Sequence, residues 1–149
     1  PEAEGEAAKD RLADSGDVAV LQGETPPEAP LASRDLSAYE AETVARITAA
    51  LEAAGDEDSL KPIRRNSPLS MAATLAMVRA ARKDGRIQDS LAREYRFTHR
   101  ATESSDFLEG VRAQIIDKDR KPNWSAPADP DAVAAMLADL GPQDLTWEN

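Results

Sequence analysis

Asp106-Phe-Leu-Glu109-Gly110-Val111-Arg112-Ala-Gln-Ile115-Ile116-Asp117-Lys118-Asp119-Arg120-Lys121-Pro122-Asn-Trp124 is the stretch from which the rest of the chain is best read. Ser105, just before it, can cap a helix with its hydroxyl, and Val111, Ile115 and Ile116 follow at helical spacing. A glycine inside a helix costs about 1 kcal/mol relative to alanine, so Gly110 points to close packing against a neighbour. The helix ends in a basic cluster, Lys118, Arg120 and Lys121, and Pro122 stops it. Bases at that end face the negative pole of the helix dipole favourably. Trp124 offers a large apolar anchor beyond the proline.

Working outward, every segment reads as helix or loop, and no strand pattern of any length appears. Upstream, Asn66-Ser67-Pro68 is a strong start signal: a side-chain cap with proline at the first helical position. The helix it opens carries Leu69, Ala72, Ala73, Leu75, Ala76, Met77, Val78 and Ala80 before Lys83-Asp84-Gly85. It is apolar on more than one face, which places it centrally. Before it, the spacing predicts a helix from Ser37 to Ala54, stopped by Gly55, with Tyr39, Val44, Ile47, Thr48 and Leu51 as its stripe. Leu60 and Ile63 belong to a short helical turn weakened by Pro62. A further helix is expected from Ile87 to Arg100, burying Leu91, Tyr95 and Thr98.

Downstream, Asp129 and Pro130 open a last helix to about Leu140, which Gly141-Pro142 ends. At the other end, residues 2–14 read as a short helix with Ala7, Ala8, Leu12 and Ala13 on its apolar side, closed by Ser15-Gly16. A brief apolar patch, Val18 to Leu21, follows. Gly23 to Pro30 holds three prolines and cannot continue a helix, so it reads as a linker or strap. The expected class is all-α, in three parts: 1–35, a short helix and proline-rich linker; 36–124, the main helical region; and 125–149, a terminal helix and tail.

At 149 residues the chain is long enough for one domain, and would bury roughly two-thirds of its unfolded surface if it closed on itself. Its core would be thin, because there are only two each of Trp, Tyr and Phe, and alanine buries little area. That composition suits a helical layer docked on something larger. A net charge of −10 repels a phosphate backbone, which speaks against nucleic acid as a partner. The absence of cysteine removes disulfides, thiolate metal sites and thiol nucleophiles together. No apolar run approaches the roughly 18 residues that would span a bilayer, and Pro1-Glu-Ala-Glu is not a signal peptide, so a soluble, cytoplasmic protein is expected.

Chemistry-bearing residues are sparse. His99 is the only histidine, with Glu103 four residues on, and the two are too few for a metal site. Ser67, Ser70, Ser90, Ser104 and Ser105 sit at helix starts or turns, where they cap, and no second histidine exists to build a nucleophilic relay. Arg93, Glu94 and Arg96 read as a solvated face or local ion pairs. No catalytic residue and no metal ligand is assigned.

The closing stretch, with its Glu109-Gly110, Ala113, basic cluster, Pro122 and Trp124 in order, resembles the end of the crotonase (enoyl-CoA hydratase/isomerase) superfamily. Its Ile116-Asp117-Lys118-Asp119 is similar to the 3-hydroxyisobutyryl-CoA hydrolase branch. Three further segments resemble that branch: Ser67-Pro68-Leu69-Ser70 with Thr74-Leu75; Arg93-Glu94-Tyr95-Arg96-Phe97-Thr98; and Glu42-Thr43-Val44 with Ile47 and Leu51-Glu52-Ala53. Phe97 stands where that branch usually has leucine. The similarity covers about Tyr39 to Trp124.

The resemblance implies a helical C-terminal portion of a crotonase-fold enzyme, a spiral of strands and helices, whose catalytic core is not in this chain. Its partners would be that core, on the same or a separate chain, an acyl-CoA substrate, and further subunits in a homo-oligomer. The whole enzyme would hydrolyse a short branched acyl-CoA in valine breakdown; an enoyl-CoA hydratase is the neighbouring alternative, and a stand-alone, non-catalytic helical module is another. No cofactor is held permanently, the coenzyme A moiety arriving with the substrate. The resemblance places Lys118, Arg120 and Lys121 near the CoA phosphates, beside the helix-end reading of the same bases. It also implies a salt bridge between domains from Arg93, Glu94 or Arg96.

Overall fold

A computed structural model describes residues 2–21 and 33–147. The expected proline-rich linker, Gly23 to Pro30, lies outside the described residues. The chain divides into two compact units, Pro1–Asp35 and Leu36–Asn149. In the first, α1 (Glu2–Ser15) precedes a 3-10 turn at Val18–Leu21. Gly16 ends the helix in the left-handed region (φ 64°), donating its N–H to the Leu12 carbonyl at 2.8 Å. Ala8 is buried there, while Val18 is exposed.

The second unit holds α2 (Val44–Ala54), α3 (Glu57–Arg65), α4 (Pro68–Ala81), α5 (Ile87–Ser104), α6 (Phe107–Val111) and α7 (Pro130–Leu137). A π-turn at Arg112–Ile116 extends α6 directly. No strand occurs among the described residues, in line with the all-α expectation. Local chemistry sets the starts. Thr43, Asp56, Ser67 and Asp129 each accept a backbone N–H from the residue three positions on, and Pro68 and Pro130 fill first helical positions. α2 stops where Gly55 takes φ 69°.

The helix expected from Ser37 is broken. Ser37–Glu40 forms a 3-10 turn, Ala41 is extended, and α2 begins only at Val44. The Arg79 guanidinium of α4 explains the break, because it donates to the carbonyls of Glu40, Ala41 and Glu42. Those acceptors are turned to a neighbouring helix rather than used inside their own. Conversely, α3 is a nine-residue helix that runs on through Pro62 to Arg65. Proline forfeits one hydrogen bond there, but Leu60 on the same helix is fully buried (0% exposed) and Asp56 caps the start.

Ile47 and Leu51 of α2 meet Leu60 of α3 in the core, with Ile63 and Leu75 packed against them. Leu69 and Ala73 of α4 and Met136 of α7 are also buried, and α4 packs on α2, α5 and α7, so its expected central place is what the structure shows. α5 departs from expectation. It reaches Ser104, holds no buried residue, and exposes Leu91, Tyr95 and Thr98, which were expected inside. It docks through arginines instead. Arg100 donates to the carbonyls of Met136, Ala138 and Asp139 at 2.7–3.2 Å, closing the end of α7. Arg96 bonds Asp144 (Nε, 2.8 Å) and Asp139 (3.1 Å), and Arg93 pairs with Asp84. Both ion-paired arginines therefore find partners inside this unit. Trp147, near the end of the described residues, is 43% exposed.

Candidate functional site

The closing stretch is tied down at both ends. Asp106, buried at 5% exposure, accepts from the Ser67 hydroxyl at 2.8 Å and from the backbone N–H groups of Ser125 and Ala126 at 2.9 Å each. One carboxylate thus joins the start of α4, the start of α6 and the chain beyond Trp124. Ser105 accepts the Phe107 N–H at 3.2 Å and donates to Ala101 at 2.6 Å, bridging α5 and α6. Gly110 packs as expected: a Cβ there would lie 3.5 Å from the Trp124 ring. That is ordinary contact, so the indole covers a position where alanine still fits and a larger side chain would displace it. Trp124 Nε1 donates to the Arg65 carbonyl at 3.0 Å.

Between these ties lies a charged knot centred on Arg112. Its guanidinium holds Glu109 in a bidentate pair (2.9 and 2.8 Å), then Asp117 (2.6 Å), Asp119 (2.8 Å) and the Lys121 carbonyl (3.1 Å). The π-turn brings those acids round, with the Asp117 N–H reaching the Arg112 carbonyl at 2.9 Å. Lys118 and Arg120 then adopt left-handed φ angles of 56° and 55°. Such a conformation costs a non-glycine residue roughly 1–2 kcal/mol, so contacts must hold it. They do: Asp119 accepts the Lys121 N–H at 2.8 Å, the Arg120 N–H reaches Ala113 at 3.0 Å, and the Asn123 N–H reaches Glu109 at 2.7 Å.

The knot shifts its own titrations. The Arg112 bond, then the Asn123 N–H, lowers Glu109 to about 2. The Lys121 N–H, then Arg112, lowers Asp119. Glu109 chiefly, with Asp119 and Asp117, raises Arg112. A carboxylate depressed in the fold stabilises it fully above its ordinary pKa and loses that contribution as pH falls through the folded value. The 117–123 loop is therefore expected to stay ordered down to the ordinary carboxylate range near 4.5 and to loosen as pH falls toward about 2. Backbone amide NMR of Lys121 and Asn123 checks this, and a loop that loosens above pH 5 contradicts the sign.

Lys118, Arg120 and Lys121 all come together in this loop and all are exposed. The side chains of Lys118 and Arg120 make no hydrogen bond or ion pair with any described residue. Sequence reasoning found the three bases but missed Arg112. The acidic flanks at 109, 117 and 119 were its signal; only the π-turn and two left-handed residues bring them to one point.

Next to the knot an apolar groove of about 750 Å³ opens between α2, α4, α5 and α6, lined by Tyr39, Ile47, Met71, Leu75, Phe97 and Val111 among others. Phe107, Leu108, Ile115 and Ile116 nearby are each more than half exposed (53–69%). His99 is exposed, with its ring 6.0 Å from that of Tyr95. Among the described residues no three His, Asp or Glu side chains cluster as metal ligands, and no helix is long and apolar enough to cross a membrane.

Residues 9–140 match the family model described as Enoyl-CoA hydratase/isomerase. The chain is 37% identical over 119 residues to "3-hydroxyisobutyryl-CoA hydrolase, mitochondrial" of Rattus norvegicus, covering 74% of this chain and 30% of that protein. The Homo sapiens protein of the same name is 38% identical over 96 residues, covering 62% and 24%. An enoyl-CoA hydratase from Rhodobacter sphaeroides 2.4.1 superposes with a TM-score of 0.82 at 42% identity, over 99% of this chain and 46% of that one. A carnitinyl-CoA dehydratase from Mycobacterium thermoresistibile gives 0.83 at 31% identity over the same shares. The chain thus spans less than a third of those curated relatives and less than half of those solved chains.

Proposed function

The chain belongs to the enoyl-CoA hydratase/isomerase family, and on that premise we propose that it is the helical C-terminal part of a 3-hydroxyisobutyryl-CoA hydrolase-like enzyme. The observation that carries this reading is the 37% identity to the rat protein of that name. The whole enzyme cleaves the thioester of a short branched acyl-CoA, a step of valine breakdown. Thioester attack places negative charge on the carbonyl oxygen, which demands positioned donors, and water must be deprotonated by a base. Neither role is assigned to a residue of this chain; both fall to the catalytic core.

This chain contributes two surfaces. The apolar groove and its exposed rim, Phe107, Leu108 and Ile115, cover that core, burying area that water would otherwise meet. The basic loop meets the CoA phosphates: Lys118, Arg120 and Lys121 are exposed cations on a chain of net charge −10, so the loop is a local exception to a repulsive surface. Subunit contacts in a homo-oligomer belong to the same reading. A second reading, enoyl-CoA hydratase, is favoured by the 42% identity to the Rhodobacter sphaeroides enzyme.

One assay separates them. The protein carrying this chain is given 3-hydroxyisobutyryl-CoA with a thiol-reactive dye and, separately, a 2-enoyl-CoA followed by loss of enoyl absorbance. Thiol release from the first substrate is expected. Hydration of the second with no thiol release would move the assignment to the hydratase.

A further inference from the structure

We infer that Arg112 is a positioning residue for the phosphate-binding loop, setting the geometry and charge of Lys118 and Arg120 without touching the ligand itself. The inference rests on the proposed reading of that loop as the seat of the CoA phosphates. Three observations carry it. First, a guanidinium has five N–H donors, and the five bonds from Arg112 go to Glu109 (two), Asp117, Asp119 and the Lys121 carbonyl, so the whole donor set is spent on the loop and its base. Second, Lys118 and Arg120 hold left-handed backbones on either side of Asp119, a conformation that persists only where surrounding contacts fix it. Asp119 is gripped by Arg112 on one oxygen and by the Lys121 N–H on the other.

Third, acids and bases alternate through Asp117, Lys118, Asp119 and Arg120, with Lys121 a second base after them. Left free, the carboxylates would neutralise their neighbours and repel a phosphate. Drawn onto Arg112, they leave Lys118 and Arg120 exposed and without an acid partner among the described residues. The ligand chemistry is a nucleotide polyanion, recognised by charge at fixed spacing.

The test uses the full protein that carries this chain, with one acyl group presented on CoA and on pantetheine, which lacks the nucleotide phosphates. Free CoA binding by calorimetry gives a readout besides turnover. Arg112→Met is expected to raise KM for the acyl-CoA and Kd for CoA about tenfold, the order of one lost charge-assisted contact. Its kcat, and its turnover of the acyl-pantetheine, should be unchanged, and Arg112→Lys should recover part of the loss. Asp119→Asn, which keeps an acceptor for the Lys121 N–H but loses the ion pair, should move KM the same way, and decides the matter if Arg112→Met does not fold. Parallel loss on both substrates would reduce Arg112 to a structural role and overturn the inference. The double variant Lys118→Ala/Arg120→Ala separates the two levels. If it raises KM while Arg112→Met and Asp119→Asn do not, only the role of Arg112 falls. If it leaves KM and CoA binding untouched, the loop is not the phosphate site and both fall.

Discussion

Leu69→Ala is expected to destabilise the helical unit by about 2–5 kcal/mol, read from the urea midpoint at constant m-value. Leu69 is 1% exposed at the start of α4 and sits with Ala73 and Met136 where α4 meets α7. Cutting its isobutyl side chain back to a methyl forfeits the transfer term and enlarges a hollow of about 220 Å³ that Leu69 already lines with Arg100 and Met136. Space beside the site argues for the upper part of that range, because the neighbours do not collapse onto it now. A loss below about 1 kcal/mol, the size of an ordinary surface substitution, would mean that α4 is not the central helix.

Asp106→Ala is expected to cost about 2–3 kcal/mol, since a buried donor left without an acceptor costs about 1–3 kcal/mol and a part-buried one, which water reaches, costs less. Three donors lose their partner: the Ser67 hydroxyl and the N–H groups of Ser125 and Ala126. The damage should reach Trp124, whose neighbour Ser125 is one of the three. Asp106→Asn keeps an oxygen for the two amides and offers an NH2 group to the Ser67 oxygen, so it should lose clearly less. Urea unfolding followed by tryptophan fluorescence distinguishes the pair. Equal and small losses for both would show that this carboxylate does not tie the three segments together.

The helix starts were legible because their signals are local. Ser67-Pro68 and Asp129-Pro130 need only a cap oxygen and a residue without a useful N–H, and both behave so here. The closing motif was legible too, and Gly110 against Trp124 repeats what a glycine in a helix suggested. What escaped was long-range and polar. Apolar spacing points to Leu91 and Tyr95 as the buried face of α5, yet arginines 93, 96 and 100 bond acids and carbonyls up to 48 positions away. Apolar periodicity is blind to that kind of docking. Arg79 likewise interrupts the helix expected from Ser37 by taking its carbonyls, which no residue near Ser37 announces. The Arg112 knot depends on a π-turn followed by two left-handed residues, a path for which no spacing rule exists.

If this chain is the helical part of a larger CoA-thioester enzyme, the intact mass of the protein carrying this sequence will reveal the rest of it. That protein should be isolated from its native source and measured under denaturing conditions alongside whatever co-purifies. The chain covers 46% of the Rhodobacter sphaeroides and Mycobacterium thermoresistibile proteins, so either one polypeptide of more than twice 16.0 kDa or a second polypeptide of at least comparable mass is expected. A single species near 16.0 kDa with no companion would contradict it.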